Sequence, residues 1–283
     1  MAWPEPGRGQ PQTRKGIVMA PDRRAALTAG VLFIVATAAS LLSAAVERPV
    51  LTGTDYLTRI AQNTGRVSAG VLLDLVAAGA SAGIAIALYP VLRKRSQGLA
   101  LGAVIFRALE AVMYAAGAVI TLSLLTVARQ YAQAAALSHG GIRAIGDALA
   151  GVRQDAILAG VLAFIPGALM YSYVLCRSRL VPRWLPGWGI AAEVPMLIAC
   201  LLALFSHTPV TSYTILILPI AVQEMVLAAW LIVRGFSPGA IQAGTVTGPA
   251  PPPASPTPGG PQTRPVPDGW KPGASSGRLE TAC

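Results

Sequence analysis

Val67-Ser-Ala-Gly-Val-Leu-Leu-Asp-Leu-Val-Ala-Ala-Gly-Ala-Ser-Ala-Gly-Ile-Ala-Ile-Ala-Leu-Tyr-Pro-Val91 is a run of 25 residues holding a single charge, Asp74. As an α-helix it would be about 37 Å long at 1.5 Å per residue, enough to cross the roughly 30 Å of hydrocarbon in a bilayer. It ends on Arg93-Lys94-Arg95, a basic cluster of the kind that stays on the cytoplasmic side of a membrane. Five further segments qualify by the same measure: Ala25–Val46, Leu99–Val127, Ala156–Cys176, Leu185–Phe205 and Tyr213–Val233. The sequence therefore predicts an all-α, polytopic bundle of six transmembrane spans over residues 25–236.

Composition agrees. Of 283 residues, 54% are hydrophobic and 12% charged, whereas a soluble protein carries about 25% charged residues. So little charge cannot coat two water-soluble domains, and the chain is not a cytosolic enzyme, a secreted disulfide scaffold or a nucleic-acid-binding domain. The net charge of +10 is spread in short clusters beside apolar runs, with no basic face interleaved with aromatics such as a nucleic-acid groove needs. The three cysteines, Cys176, Cys200 and Cys283, imply no disulfide framework.

The charges between the spans orient the bundle. Arg8, Arg14, Lys15, Arg23, Arg24, Arg93, Lys94, Arg95, Arg177, Arg179, Arg183 and Arg234 fall on one side; Arg48, Arg59, Arg66, Arg129, Arg143 and Arg153 fall on the other. Twelve against six puts both termini in the cytoplasm, in agreement with an even number of spans, which returns the chain to the side it started from. The first span is read as retained, because its apolar run of about 22 residues exceeds the 7–15 of a cleaved signal peptide. Nineteen Arg against three Lys, with abundant Ala and Gly, suggests a GC-rich bacterial genome, and hence the inner (plasma) membrane.

In the outer loops, Ile142, Ile145, Leu149 and Val152 recur at helical spacing within 139–152, the pattern of an amphipathic helix lying at the interface and leading into span four. Residues 55–66 show a weaker version through Leu57 and Ile60. Residues 1–24 form a basic N-terminal segment. Residues 237–283, with the run Gly248-Pro-Ala-Pro-Pro-Pro-Ala-Ser-Pro, have the composition of a disordered cytoplasmic tail.

Few motifs carry chemistry. Gly79-Ala-Ser-Ala-Gly83 has the spacing of a hydrolase nucleophile elbow, but it lies inside a span, and His139 and His207 both fall in outer loops. The same spacing lets a neighbouring helix approach, so Gly79 and Gly83 are read as helix-packing residues. Two histidines outside the spans exclude a bis-His haem or a histidine-rich di-iron site. No phosphate-binding or dinucleotide fingerprint is present, so no catalytic residue, metal or cofactor is expected.

The informative residues are the ionisable ones within spans: Asp74, Arg107, Glu110, Glu193 and Glu224, with Gln223 beside the last. A charge at the centre of a span costs about 2.5–3.5 kcal/mol on insertion scales, so such groups face the bundle interior and find partners. Arg107 and Glu110, three residues apart, share one face of span three. Arg107 cannot shed its proton, so an acid must meet it: Glu110, or Asp74 or Glu224 from a neighbouring helix. Four carboxyls meet one guanidinium, and desolvation opposes ionising them all, so one or two of Glu110, Glu193 and Glu224 are expected to be protonated and hydrogen-bonded. Prolines at 166, 195 and 219 lie within spans four, five and six and could shape a cavity beside these acids.

Leu88-Tyr-Pro-Val-Leu-Arg93, Leu99-Ala-Leu-Gly102 and Phe106-Arg-Ala-Leu-Glu-Ala-Val112 resemble the core of a bacterial membrane-protein family catalogued as domain of unknown function 4386. Pro182-Arg-Trp-Leu-Pro-Gly-Trp-Gly189 and Gln223-Glu-Met-Val-Leu-Ala-Ala-Trp-Leu-Ile-Val-Arg-Gly-Phe236 are similar to its later segments. The resemblance covers about 24–236 and implies a polytopic inner-membrane protein, with Arg107, Glu110 and Glu224 inside its recognisable motifs. It implies no reaction or ligand. Two readings stay open: a bundle held together by buried Arg/Glu pairs, or a transporter or small-ligand or lipid-binding protein using the mid-membrane carboxyls. Lipid is the expected partner, nucleic acid is not, and a homo-oligomer is compatible with the sequence.

Overall fold

In hydrocarbon a backbone must satisfy its own N–H and C=O groups, which for a single apolar segment means an α-helix. The computed structural model describes residues 21–237, so the expectations for the basic N-terminal segment and the Pro/Gly-rich tail fall almost entirely outside the described residues. Among those residues there are seven α-helices and no strand: α1 (Pro21–Leu51), α2 (Tyr56–Gln62), α3 (Thr64–Leu92), α4 (Gln97–Gln133), α5 (His139–Ser178), α6 (Trp184–Ser206) and α7 (Thr214–Val233). All but α2 belong to segments long and apolar enough to cross a membrane.

Each long helix packs on the next in the chain, and α7 returns to pack on α1, closing a six-membered ring. Small residues set that closure. A methyl on Gly30 of α1 would stand 2.7 Å from Ile232 Cγ1 and 2.9 Å from the Ala228 carbonyl oxygen of α7, so only glycine allows this approach. Where α1 begins and α7 ends, Arg23 donates to the carbonyls of Leu231 (3.1 Å) and Ile232 (2.6 Å), which the end of α7 leaves unsatisfied. Gly235, at φ +68°, turns the chain out of α7 and leaves room for the Arg23 guanidinium. Lys94 pairs with Asp22 at 2.9 Å, tying the α3–α4 connection to the start of α1.

The outer surface of the ring is apolar and its interior carries the charge, the reverse of a soluble protein. Val194 is 59% exposed while its neighbour Glu193 is 3% exposed, and Leu109 is 47% exposed while Arg107 is 2% exposed. Outward-facing Val31, Leu72, Ile86, Val112, Val119, Leu201 and Ile215 continue the apolar belt. A surface of this kind fits lipid. The chain is a multi-pass membrane protein.

The helices outrun the apolar stretches that announce them. At 1.5 Å per residue, α4 and α5 are about 55 and 60 Å long, well beyond the hydrocarbon. Residues 139–152, expected as an amphipathic helix leading into span four, are the first turns of α5. No proline or charge-driven break separates them from the span, because Arg153 at the junction is paired across the bundle. The short separate helix at this end of the bundle is α2, whose Tyr56, Leu57 and Ile60 pack with Leu124, Leu125 and Ala128 of α4. Tyr56 donates to Asp147 of α5 at 2.8 Å. Burial, and then this hydrogen bond, push the Tyr56 hydroxyl well above the ordinary tyrosine range, keeping it protonated.

Candidate functional site

Arg107 projects from α4 into the ring. Its Nη1 donates to Glu110 Oε2 at 3.0 Å, one turn along the same helix, and its Nη2 reaches Glu224 Oε1 of α7 at 3.5 Å. The Phe164 ring of α5 lies 4.5 Å from the guanidinium carbon and the Tyr171 ring 5.8 Å, so aromatic faces replace some of the lost hydration. The Tyr171 hydroxyl donates to Glu224 Oε1 at 3.1 Å. Gly167 of α5 makes this possible: a methyl there would stand 3.2 Å from Phe106 Cβ and 3.3 Å from Arg107 Cγ. One guanidinium thus joins α4, α5 and α7.

Glu193 of α6 faces the same space, close enough to Glu224, Arg107 and Glu110 to interact with them electrostatically. Among the described residues neither of its carboxyl oxygens has a hydrogen-bond partner, and neither does Arg107 Nε. Gln223, one residue before Glu224, does not join the cluster's ion pairs. Its Nε2 donates to the Leu185 carbonyl at 3.2 Å, and its amide packs on Gly189, fixing α6 to α7.

Asp74 lies elsewhere. It is not a partner of Arg107; its Oδ2 stands 4.0 Å from Arg153 Nη2 of α5. Arg153 also donates from Nη2 to Glu47 Oε2 of α1 at 2.5 Å and from Nε to Thr121 Oγ1 of α4 at 2.8 Å. The Thr121 hydroxyl donates in turn to the Gly117 carbonyl at 2.9 Å. Ser43 of α1 donates to the Gly70 carbonyl of α3 at 3.2 Å, and the Glu47 side chain fills the space over Gly70 that a methyl would occupy. This second cluster sits toward the end of the bundle where α1 finishes, and joins α1, α3, α4 and α5. Sequence reasoning missed it, since Glu47 and Arg153 stand just past the ends of their apolar runs. The available pointer was that an acid and a base flank two different spans at the same side.

The two glycines singled out for packing behave differently. Gly83 meets Leu32 of α1, with a methyl there standing 3.0 Å from its Cδ1, whereas nothing lies within 4 Å of one on Gly79. The buried stripe of α3 runs through Ala77, Ala78, Ser81, Ile84, Ala85 and Leu88, which turns Gly79 outward.

A family model described as Domain of unknown function (DUF4386) matches residues 28–235, well over half of the chain. The chain belongs to this family. No curated protein and no solved structure matches it. The DUF4386 segment contains every residue of both clusters, from Glu47 to Glu224. Both clusters therefore lie within the matched segment of this chain and not in the segments flanking it.

Proposed function

We propose that this DUF4386 protein resides in the bacterial plasma membrane with both termini in the cytoplasm, and that its mid-membrane cluster holds the six spans in register. Arg107 carries this reading. It is 2% exposed, bridges acids on α4 and α7 and lies against two aromatic rings of α5. A desolvated guanidinium with acids on two helices penalises any rearrangement that separates them.

The orientation rests on the Lys/Arg asymmetry between connections. Its test uses single cysteines at Thr58, Ser138 and Gln97 in a Cys283→Ser background, where the buried Cys176 and Cys200 stay silent. An impermeant thiol reagent added to intact cells should label positions 58 and 138 and spare 97. Labelling of 97 alone would reverse the topology.

A second reading, transport or binding of a small cationic ligand, is favoured by Glu193, whose oxygens have no partner beside acids that already share one arginine. Purified protein in liposomes under an imposed pH gradient separates the two. A register-holding cluster passes protons and ions no faster than empty liposomes. Flux that disappears in Glu193→Gln would establish the second reading in place of the first.

A further inference from the structure

Glu193 is 3% exposed and lies nine residues into α6, about 14 Å from its inner end. The groups that face it are Arg107 and Glu110 on α4, Tyr171 on α5, Glu224 on α7 and Cys200 on α6 itself, and Tyr114 of α4 lies beside Glu110 and Glu224. Three acids thus share one guanidinium. Two of them have donors: Glu110 takes Arg107 Nη1, and Glu224 takes Arg107 Nη2 and the Tyr171 hydroxyl. Among the described residues Glu193 has none on either oxygen.

A carboxylate with no donor, away from water, is far more costly than the neutral acid. With Glu193 ionised as well, the cluster would hold two uncompensated negative charges among apolar helices. We propose that Glu193 is a proton-binding site: it carries its proton in the closed ring and exchanges it with bulk water. On release the carboxyl O–H bond breaks, the proton leaves to water, and the bonding pair stays on the carboxylate. The new charge then needs a donor. Arg107 holds one in reserve, since its Nε–H has no acceptor in the closed ring. Turning that edge toward Glu193 loosens the 3.5 Å contact with Glu224, which keeps the Tyr171 hydroxyl. Proton release at α6 is thereby coupled to the contact between α4 and α7. The ligand is the proton itself, and the site exists whether or not the protein moves anything across the membrane.

Infrared difference spectra of the full-length protein in phosphatidylethanolamine–phosphatidylglycerol liposomes, recorded between acid and alkaline pH, test this. The wild type should show the carbonyl stretch of a protonated carboxyl in apolar surroundings, lost on going to high pH. Glu193→Gln should remove that band entirely, and Glu110→Gln should leave it. Glu193→Asp, which keeps an acid at the site should the Gln variant not fold, should shift the band without abolishing it. A wild type with no such band, a band that persists at every pH, or a band that survives Glu193→Gln would each overturn the proposal. The band is read independently of flux, so a protein that transports nothing still decides the question.

Discussion

Arg107→Leu is expected to cost about 3–5 kcal/mol of unfolding stability, the usual result of stranding one side of a buried ion pair. Two carboxyls lose their cation at once. Glu110 loses its charged donor and is left with the Ser81 hydroxyl beside it, while Glu224 retains Tyr171 at 3.1 Å. The loss should therefore be traced mainly to Glu110. The measurement is equilibrium unfolding in mixed micelles of a mild detergent and dodecyl sulfate, followed by helical circular dichroism. Arg107→Lys should fall between wild type and Leu, because an ammonium keeps the charge but lacks the planar fork that serves two acids. A loss below about 1 kcal/mol for Arg107→Leu would mean that the acids are already solvated or neutral.

The cluster around Arg153 should give the second largest effect. Arg153 is the cation for Glu47, whose side chain is 4% exposed, and for Asp74, which is 27% exposed. The Arg153 side chain keeps 19% of its surface open, so Arg153→Leu is placed at the low end of the same range, about 3 kcal/mol. Stranded Glu47 then dominates, because Asp74 can turn to water. Adding Glu47→Gln in the Arg153→Leu background should recover part of the loss, although an acid-to-amide change in an intact pair would ordinarily destabilise. A double variant no more stable than Arg153→Leu alone would show that Glu47 is not the stranded charge. The readout is the same unfolding titration.

Much of the fold was legible because hydrocarbon thickness writes itself into composition. A span needs a fixed length of apolar residues, and the runs through Phe33, Ile84, Leu124, Ile165, Met196 and Leu227 supply it. The spacing of three that puts Arg107 and Glu110 on one helix face was legible for a similar reason, since it depends on a single helix. What stayed hidden depends on how helices are rotated against one another. Asp74 is as deep in its span as a partner of Arg107 would need to be, yet α3 turns it toward α1 and α5, where Arg153 and Glu47 meet it.

The helix ends were hidden by charge. Hydropathy falls at Glu47 and again at Arg153, which suggested spans ending at Val46 and starting at Ala156. The backbone continues helical to Leu51 and from His139, because a paired charge carries no penalty that would end a helix. Close approaches at Gly30, Gly160 and Gly167 were equally illegible, since the residue each glycine admits (Ile232, Tyr114, Arg107) comes from a different part of the chain.

The central claim is that Arg107 and Glu110 form a pair that stabilises the closed ring, and a double-mutant cycle measures it most directly. Unfolding free energies of wild type, Arg107→Leu, Glu110→Leu and the double variant give the coupling between the two side chains, free of their separate contacts with the bundle. Contacting charged residues should couple by about 0.5–3 kcal/mol, with the double variant losing less than the sum of the two single losses. Strict additivity, with each single loss intact, would contradict the pairing and leave Arg107 answering to Glu224 alone.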